Sequence, residues 1–431
     1  MRRRGICDRM RVRITRHLLE RVSGDNWRPT VKITDIRFEQ LEGILESEID
    51  LFRERLIRPI DIYPEHRAET AKEMSADRFD DLGDGRWRVR TVVLYVDTDE
   101  GITGISGPMS RNEAFFVNAQ LKSFLIGQDA LATELIWDKM YRQLIHGRKG
   151  EAMFAVSAID NALWDIRGKA ANLPLYRLLG GPTRKTFPAY ASALGFAITP
   201  EDAAAIARGF VEEGYTATKW FVRNGPMDGE PGARKNIELV RTLREAVGDD
   251  VDIMIDAWSS WDVRYALDMA NRMAEFRPRW LEEVLKPDDI QGQARVNALS
   301  PVPISGGEHE YTRWGAREYF EAGAVDIYQA DTVWAGGISE MLKIFALGSA
   351  FGVEVIPHGG AVPINAHLTA AQSPALAPLI EYLVHWNEIL QFFWTHPIKP
   401  VDGYITVSEL PGLGLEVDDS KVESRKLLDW S

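Results

Sequence analysis

Short apolar runs alternate with amphipathic stretches through the C-terminal part of the chain. Eight such runs are present, and they begin near Ala189, Thr218, Val251, Arg279, Pro303, Val325, Val353 and Leu379. Stretches with helical periodicity, such as residues 200–214 and 232–248, separate most of them. One strand, one helix and two short loops use about 25 to 30 residues, which matches this spacing. The pattern therefore predicts an α/β fold, a (β/α)8 barrel of parallel strands each followed by a helix.

A different pattern precedes the barrel. Residues 31–43 and 87–107 alternate or run apolar as strands do, and the Asp-Glu-Gly sequence at 99–101 predicts a turn. Residues 112–127 and 131–144 then show helical periodicity. Because a chain of 431 residues is too long for one core, we interpret this part as a separate, smaller α+β domain.

The first 29 residues differ from both parts. They carry nine arginines and lack the apolar core that a signal peptide needs. We interpret residues 1–29 as a basic, disordered extension or as the product of an upstream start codon, with Met10 as another candidate start. A basic arm that binds polyanions and an amphipathic targeting segment are the alternatives.

Three carboxylates, Asp256, Glu282 and Glu308, each follow one of the apolar runs, at successive intervals of 26 residues. At the carboxyl ends of neighbouring barrel strands such acids converge on one point. Their mutual repulsion there would be costly unless a cation lay between them. Because oxygen ligands suit a hard ion, the acids predict a Mg²⁺ site, with one ion per subunit and Mn²⁺ as a substitute.

The series continues along the chain. Asp331 ends the run that starts at Val325, and His358 ends the next run. An acid beside a histidine predicts a dyad in which the acid fixes the imidazole tautomer and stabilises its protonated form. Lys219 lies at the end of an earlier candidate strand and Glu381 lies in the last one.

Charge and cysteine content narrow the class of protein. The net charge is −13 and the isoelectric point is about 5.3, which argues against nucleic acid as a partner. The single cysteine, Cys7, excludes an intramolecular disulfide framework and favours a cytoplasmic location. No run approaches the roughly 18 apolar residues of a membrane span, so we expect no membrane partner.

These motifs together resemble the enolase superfamily, in its mandelate racemase subgroup, and within it the L-rhamnonate dehydratases. The resemblance covers roughly residues 30 to 425. Its motifs stand here as SAIDNALWDIRGKAANLPLYRLLGG (157–181), TKWFVRNGPMDGEPGARK (218–235), IDAWSSWDVRYA (255–266), WLEEVLKPDD (280–289), SGGEHEY (305–311), YQADTVWAGGISE (328–340) and VIPHGG (356–360).

The resemblance implies a domain organisation. In that family an N-terminal α+β domain, completed by the end of the chain, caps the barrel and excludes water from its mouth. We therefore assign residues 30–155 to the capping domain, 156–400 to the barrel, and 401–431 to a C-terminal segment that returns to the cap. A symmetric assembly of identical subunits is also implied.

The resemblance also implies a reaction on a small carboxylate substrate. His358, held by Asp331, is then the base that removes the C2 proton of a sugar acid, an aldonate such as L-rhamnonate or a relative. The enediolate is stabilised by Mg²⁺, and loss of the 3-hydroxyl gives a 2-keto-3-deoxy acid. Lys219 adds positive charge near the substrate carboxylate, and Glu381 is a hydrogen-bonding or acid partner near it.

One departure from the wider subgroup favours dehydration. Many members carry Lys-x-Lys on the second strand, whereas this chain has Lys219-Trp220-Phe221 and so lacks the second base that a racemase needs. Another enolisation, such as epimerisation or cycloisomerisation, is the alternative. A non-catalytic binding protein that kept the fold is a third hypothesis.

Further residues are candidates for contacts to the substrate. Trp258 and Trp334 are either packing at the barrel mouth or pocket walls, and His309 is either a substrate contact or a support for one. Alternation along the strand turns Glu283 away from the site and makes it a salt-bridge residue. Past His358, Asn365 and His367 are further pocket candidates. A predicted specificity loop, residues 44–70, offers its polar side chains as contacts to the substrate: Arg58, Tyr63, His66 and Arg67.

Overall fold

The computed structural model describes residues 30–47, 51, 53–67 and 78–430. The predictions for residues 1–29 lie outside the described residues, and so do parts of the predicted specificity loop (48–50, 52 and 68–70).

An antiparallel sheet forms the N-terminal part of the described chain. Its strands are β1 (Ile33–Glu46), β2 (Phe79–Gly83), β3 (Arg86–Thr98) and β4 (Thr103–Met109). The central strand, β3, pairs with β1 along one edge, and β2 and β4 share its other edge. The turn predicted at 99–101 joins β3 to β4. Apolar residues lie on both faces of β1: Ile36 and Phe38 pack with the helices that follow, whereas Leu41 and Leu45 belong to a second buried cluster that includes residues of the barrel.

Helices cover this sheet and connect it to the barrel. They are α1 (Arg111–Phe116), continued by a π-helical turn (Val117–Lys122), then α2 (Ser123–Leu125), α3 (Thr133–Gln143), α4 (Glu151–Ala171) and α5 (Leu175–Leu178). Most residues of α4 are buried, because it packs between the sheet and the barrel. Trp164 of α4 donates to Ser339 Oγ in the barrel at 2.8 Å. The predicted domain boundary at 155/156 falls inside this helix, and the domain limits stay predictions.

Eight parallel strands follow, and each lies at one of the eight predicted apolar runs. They are β5 (Thr186–Ser192), β6 (Ala217–Phe221), β7 (Asp252–Asp256), β8 (Trp280–Glu282), β9 (Ile304–Gly306), β10 (Ile327–Tyr328), β11 (Glu354–Val355) and β12 (Ile380–Leu383). Each strand pairs in order with the next from β5 to β11, and β12 pairs with β5. Within the described residues no ladder joins β11 to β12. The predicted barrel is confirmed.

A helix follows every barrel strand. These helices are α6 (Pro200–Glu212), α7 (Gly229–Val247), α8 (Val263–Met273), α9 (Ile290–Leu299), α10 (Thr312–Ala322), α11 (Ile338–Phe351), α12 (Val362–Ala371) and α13 (Val384–Leu390). Short 3₁₀ turns lie at Pro59–Ile62, Pro64–His66, Pro226–Asp228, Ala274–Phe276, Gly359–Ala361 and Asp419–Lys421. Inside the barrel, the rings of Tyr190 and Trp280 meet edge to face and form part of a buried cluster. None of the described helices has the length and apolar character that crossing a bilayer requires.

The C-terminal tail contacts both parts. Strand β13 (Tyr404–Thr406) pairs antiparallel with β5 of the barrel, and only then does β14 (Ser424–Leu427) join the N-terminal sheet beside β1. The predicted completion of the capping sheet by the end of the chain is thereby confirmed, through β14. The earlier half of the tail is hydrogen-bonded to the barrel through β13.

Candidate active site

The three predicted metal acids lie together at one rim of the barrel. Asp256 is the last residue of β7, Glu282 is the last residue of β8, and Glu308 follows the end of β9 by two residues. Parallel strands present their carboxyl ends on the same side, and this brings the three side chains together. Three carboxylate oxygens, one from each residue, lie within 4.8 Å of one another, and all three residues are buried.

The electrostatics of this group favour a bound cation. Burial, and then the charge of Glu282, raise the pKa of Asp256 well above its ordinary value. Burial and the charge of Glu283 raise the pKa of Glu308 to about 7. A divalent cation would offset both effects, and carboxylate oxygens are the ligands that hard ions such as Mg²⁺ prefer. The residues at this rim therefore fit a hard divalent cation.

Lys219 lies among these acids. Its Nζ is 2.5 Å from Glu282 Oε1, 2.8 Å from Glu381 Oε1 and 3.3 Å from Asp256 Oδ2. Burial alone would lower the pKa of Lys219, but Glu282 and Glu381 raise it well above 10.5. Lys219 is therefore a fixed positive charge at the base of the site.

Two side chains support Glu282 from inside the barrel. Trp280 Nε1 and Gln329 Nε2 each donate to Glu282 Oε2 at 2.9 Å, which leaves Oε1 for Lys219. Sequence reasoning missed both residues. Gln329 lies in the apolar run that Asp331 ends, but β10 ends at Tyr328, so strand alternation does not report where the Gln329 side chain points.

The predicted dyad is assembled. His358 Nδ1 lies 2.6 Å from Asp331 Oδ2, and Asp331 Oδ1 accepts the backbone N–H of Val333 at 2.6 Å. Because a carboxylate only accepts, Nδ1 carries the proton and Nε2 is the atom that exchanges one. Nε2 lies 3.6 Å from Glu308 Oε2, on the side of the acids. Burial alone would lower the pKa of His358, but Glu308 and Asp331 raise it to about 10. A cation held by Glu308 would offset the charge of that acid and so lower the pKa of His358, as a base that accepts a proton requires.

Glu381 lies on β12, next to the positively charged side chains of Lys219 and His358. Its Oε2 accepts the N–H of Gly359 at 2.8 Å, while Oε1 faces Lys219. Burial would raise the pKa of Glu381, but Lys219 and His358 lower it, so the group is ionised. A Cβ at Gly360 would lie 2.6 Å from Asp331 Oδ2, so only glycine lets this loop approach the dyad.

A row of rings lines the rim between the acids and the dyad. Ring centroids are 5.3 Å apart for Trp258 and His309, 5.8 Å for His309 and Trp334, and 5.2 Å for Trp334 and His358. Trp258 Nε1 also donates to Glu308 Oε1 at 3.2 Å. Trp258 has a φ of 41°, a strained conformation for a tryptophan, which is held by its backbone N–H bond to Asp256 Oδ1.

Glu283 is closer to the site than strand alternation predicts. The strand ends at Glu282, and Glu283 has a φ of 44°, so alternation no longer applies. Its carboxylate accepts from Ser259 at 3.2 Å and lies 2.8 Å from His309 Nδ1, which makes it the salt-bridge residue that was predicted. Burial would lower the pKa of His309, but Glu283 raises it to about 9. Glu283 and His309, with Glu308, also form a second group of possible metal ligands.

A cavity of about 260 Å³ opens above the dyad and the acids. Glu308, His358, Trp258 and Trp334 line its inner part. Its outer part is mostly apolar and is lined by Leu56, Pro108, Leu194, Val333, Leu383, Trp386 and Leu390. Gly360 and two charged residues of the N-terminal part, Arg78 and Glu113, complete the lining.

The predicted specificity-loop residues do not line this cavity in the part of the chain that the structure describes. Arg58 donates to the His66 carbonyl at 2.6 Å, and Arg67 pairs with Asp228 of the barrel at 2.9 Å. Tyr63 and His66 are exposed and meet edge to face. The loop instead contributes Leu56.

Arg78 and Glu113 were not found from the sequence. Glu113 stands three residues after Ser110 in a capping-box pattern, which indicates only the start of a helix. Glu113, in α1, and Arg78, directly before β2, reach the cavity from the N-terminal part of the chain, a long-range effect without a local signal.

Two further candidates lie in different places. Asn365 sits beneath the dyad and donates to the His358 carbonyl at 2.7 Å. His367 is not among the described residues that line the cavity. It stacks on Tyr176, where burial lowers its pKa to about 4. Phe221 is buried with its ring centroid 5.2 Å from Lys219 Nζ, so an apolar ring does stand beside the lysine.

Comparison with known proteins identifies the class. A model of the enolase C-terminal domain-like family matches residues 202–421, and one of the mandelate racemase/muconate lactonizing enzyme N-terminal domain matches residues 85–180. The chain belongs to the enolase superfamily, in the mandelate racemase and muconate lactonizing enzyme branch, as its motifs predicted. It is an enzyme of that superfamily.

Individual relatives narrow the comparison. The chain is 35% identical to the L-rhamnonate dehydratase of Saccharopolyspora erythraea over 396 residues, which are 89% of this chain and 94% of that protein. The crystal structure of rhamnonate dehydratase from Gibberella zeae complexed with Mg has a TM-score of 0.78 and 30% identity, and covers 91% of this chain and 96% of its own. The 3,6-anhydro-D-galactonate cycloisomerase from Zobellia galactanivorans has a TM-score of 0.72 and 27% identity, over 91% and 100% of the two chains.

Proposed function

We propose that this chain is a Mg²⁺-dependent dehydratase of a sugar acid. Asp256, Glu282 and Glu308 are the proposed metal ligands, and the donor set and the raised pKa values of Asp256 and Glu308 support that role. When bound, the ion would supply positive charge against the negative charge that develops on the substrate carboxylate. Lys219, whose charge is fixed by its acidic neighbours, adds to that field.

In this proposal His358 moves the protons. Its Nε2 takes the proton from C2 of the substrate, while Asp331 holds Nδ1 and stabilises the imidazolium that forms. The C3–O bond then breaks, and the departing hydroxyl leaves with the proton from Nε2 as water. The resulting enol tautomerises to the 2-keto-3-deoxy acid, so the overall reaction removes one water. Glu381 orients the loop of Gly359 and faces Lys219.

The observation that carries dehydration is the single base. Among the described residues that line the cavity, His358 is the one histidine; His309, which pairs with Glu283, lies beside that lining and is not part of it. Phe221 stands near Lys219, where other members carry a second lysine. A racemase needs a proton donor on each face of the carbon. One base that takes a proton and returns it to a leaving hydroxyl is sufficient for elimination.

The outer wall of the cavity supports a substrate with an apolar end. Leu194, Leu383 and Leu390 offer no hydrogen bond to a terminal hydroxyl, whereas a terminal methyl group would pack against them. L-rhamnonate, the substrate in the name of the relative from Saccharopolyspora erythraea, is a 6-deoxy acid of this kind. We propose that L-rhamnonate or a related 6-deoxyhexonate is the substrate.

Cycloisomerisation is the second candidate, and the fold shared with the 3,6-anhydro-D-galactonate cycloisomerase supports it. The two are separated by incubating the purified chain with Mg²⁺ and 6-deoxyhexonates, hexonates, pentonates and an anhydro-sugar acid. Semicarbazide detects 2-keto acids, and NMR shows whether the 3-hydroxyl has left. We expect a 2-keto-3-deoxy product that EDTA abolishes. Turnover of the anhydro-sugar acid alone would overturn the dehydratase proposal.

A cytoplasmic location and a homo-oligomeric assembly stay predictions.

A further inference from the structure

Asn365 joins the two segments of chain that carry the dyad. Its Nδ2 donates to the backbone carbonyl of His358 at 2.7 Å, and its Oδ1 accepts from Thr332 Oγ1 at 2.6 Å. Because Thr332 directly follows Asp331, the Asn365 side chain is bonded to the backbone of His358 and to the residue beside Asp331. Asn365 and Thr332 are fully buried.

The chemistry of these bonds determines how the amide is oriented. A backbone carbonyl can only accept, so the nitrogen of the Asn365 amide must face His358, and the amide oxygen is left for the Thr332 hydroxyl. Neither aspartate nor leucine can make both contacts, because the first has no donor when ionised and the second has neither group.

The barrel strands give these two segments little support of their own. Strands β10 and β11 end at Tyr328 and Val355, three residues before Asp331 and His358. Beyond Ile356, the backbones of the two segments are joined by the bond from His358 N to Ala330 O at 3.2 Å. In the described residues β11 has no ladder on its other side. The Asn365 amide is therefore a main connection between the loops that hold the acid and the base.

We propose that Asn365 is a positioning residue that sets the Asp331–His358 geometry by tying their two loops together. The inference rests on the proposed function, in which His358 exchanges the C2 proton. Among the described residues Asn365 hydrogen-bonds Thr332 and the His358 carbonyl and none of the three metal-group acids, so its loss would change the dyad and leave ion binding alone.

The variant that tests this is Asn365→Asp, which keeps the shape and the Thr332 contact but turns the donor toward His358 O into an acceptor. We expect kcat and the rate of C2-proton exchange to fall about 10- to 100-fold, with KM and Mg²⁺ affinity within about threefold of wild type. Thr332→Val removes the other contact and should lower kcat by a smaller factor. Thr332→Ser keeps the hydroxyl and should have a kcat near that of wild type.

Asn387→Asp is the matched control. Asn387 is also buried, donates to a backbone carbonyl (Leu383 O, 2.9 Å) and accepts from a side chain (Gln391 Nε2, 3.0 Å), but it has no bond to either dyad loop. We expect it to lower the melting temperature as much as Asn365→Asp does while kcat stays within about threefold. Equal kcat losses in both variants, or a kcat near wild type in Asn365→Asp, would overturn the proposal.

A second measurement needs no turnover and so separates this inference from the proposed function. The Nδ1 proton of His358, hydrogen-bonded to Asp331, should give a downfield ¹H NMR signal that disappears in His358→Asn. We expect Asn365→Asp to shift or broaden this signal and Asn387→Asp to leave it in place. An unchanged signal in Asn365→Asp would show that the amide does not position the dyad, whether or not any sugar acid is a substrate.

Discussion

Gln329 Nε2 donates to Glu282 Oε2 at 2.9 Å inside the barrel. The bond orients a carboxylate that repels its neighbours and leaves its other oxygen at the rim. Support of this kind around a metal ligand is commonly worth about 10- to 100-fold in ion affinity. Gln329 is thus expected to matter for the ion although it does not reach the cavity.

The first prediction concerns that bond. Gln329→Leu should weaken Mg²⁺ binding by about tenfold or more, because it removes a donor to Glu282, and calorimetric titration measures the change. Gln391→Leu is the control, since Gln391 is a buried glutamine whose amide bonds Asn387 and Ile398 instead. Equal Mg²⁺ affinity in Gln329→Leu and wild type would show that Glu282 is not a ligand or needs no such support.

The second prediction separates proton transfer from ion binding. His358→Asn should lower kcat by at least about 100-fold, because Nε2 is the atom proposed to exchange the C2 proton, while Mg²⁺ affinity stays within a few-fold. The same change at His367, which stacks on Tyr176, should leave kcat nearly unchanged. Activity near wild type in His358→Asn would remove His358 from the role of base.

A third prediction uses the thermal stability of the protein. A ligand that binds only the folded state stabilises it, by about 2.7 kcal/mol when free ion exceeds its Kd about 100-fold. Mg²⁺ should therefore raise the melting temperature of wild type, and this rise should be lost in Glu308→Gln. In Glu340→Gln the rise should persist, because Glu340 is a buried acid paired with Arg313 at 3.0 Å and is not one of the proposed ligands. A rise of the same size in Glu308→Gln would contradict its assignment.

The fourth prediction concerns pH and a buried acid away from the site. Burial raises the pKa of Asp160 from 3.8 to about 7, and its carboxylate accepts from Ser339 N at 2.8 Å and Ser339 Oγ at 2.6 Å. A raised pKa means that the folded state holds the proton more tightly than the unfolded state does. The stability that this proton contributes is fully present below about pH 4 and is lost as the pH rises toward 7.

Asp160→Asn lacks this proton, and its amide can serve both contacts because a hydroxyl also accepts. Its melting temperature relative to wild type should therefore rise between about pH 4 and about pH 7 and level off above that. A difference that stays constant, or that falls with rising pH, would show that Asp160 is already ionised across this range.

The barrel was predictable because its period is local. Each strand and helix unit occupies a similar length of chain, and the acids that end β7 and β8 recur with that period. The partnership of Asp331 with His358 follows from the same spacing. The sequence therefore predicted the eight strands and which side chains would share a rim.

Features that depend on the path of the chain after a strand ends were not predictable. Alternation misplaced Glu283, whose positive φ carries its carboxylate to His309. The loop residues Arg58 and Arg67 have partners of their own, whereas Arg78 and Glu113 reach the cavity through the packing of the N-terminal sheet on the barrel. No pattern within a few residues of these positions reports where the sheet will lie.

The central claim is that His358 removes a proton from C2 of a sugar acid bound beside three metal-binding acids. The most direct test is NMR of L-rhamnonate incubated with the protein and Mg²⁺ in D₂O, with EDTA and with His358→Asn as controls. We predict that the C2 proton signal disappears as a 2-keto-3-deoxy acid forms, and that both controls abolish the reaction. If Mg²⁺ binds but neither L-rhamnonate nor any related sugar acid loses or exchanges its C2 proton, the claim is wrong.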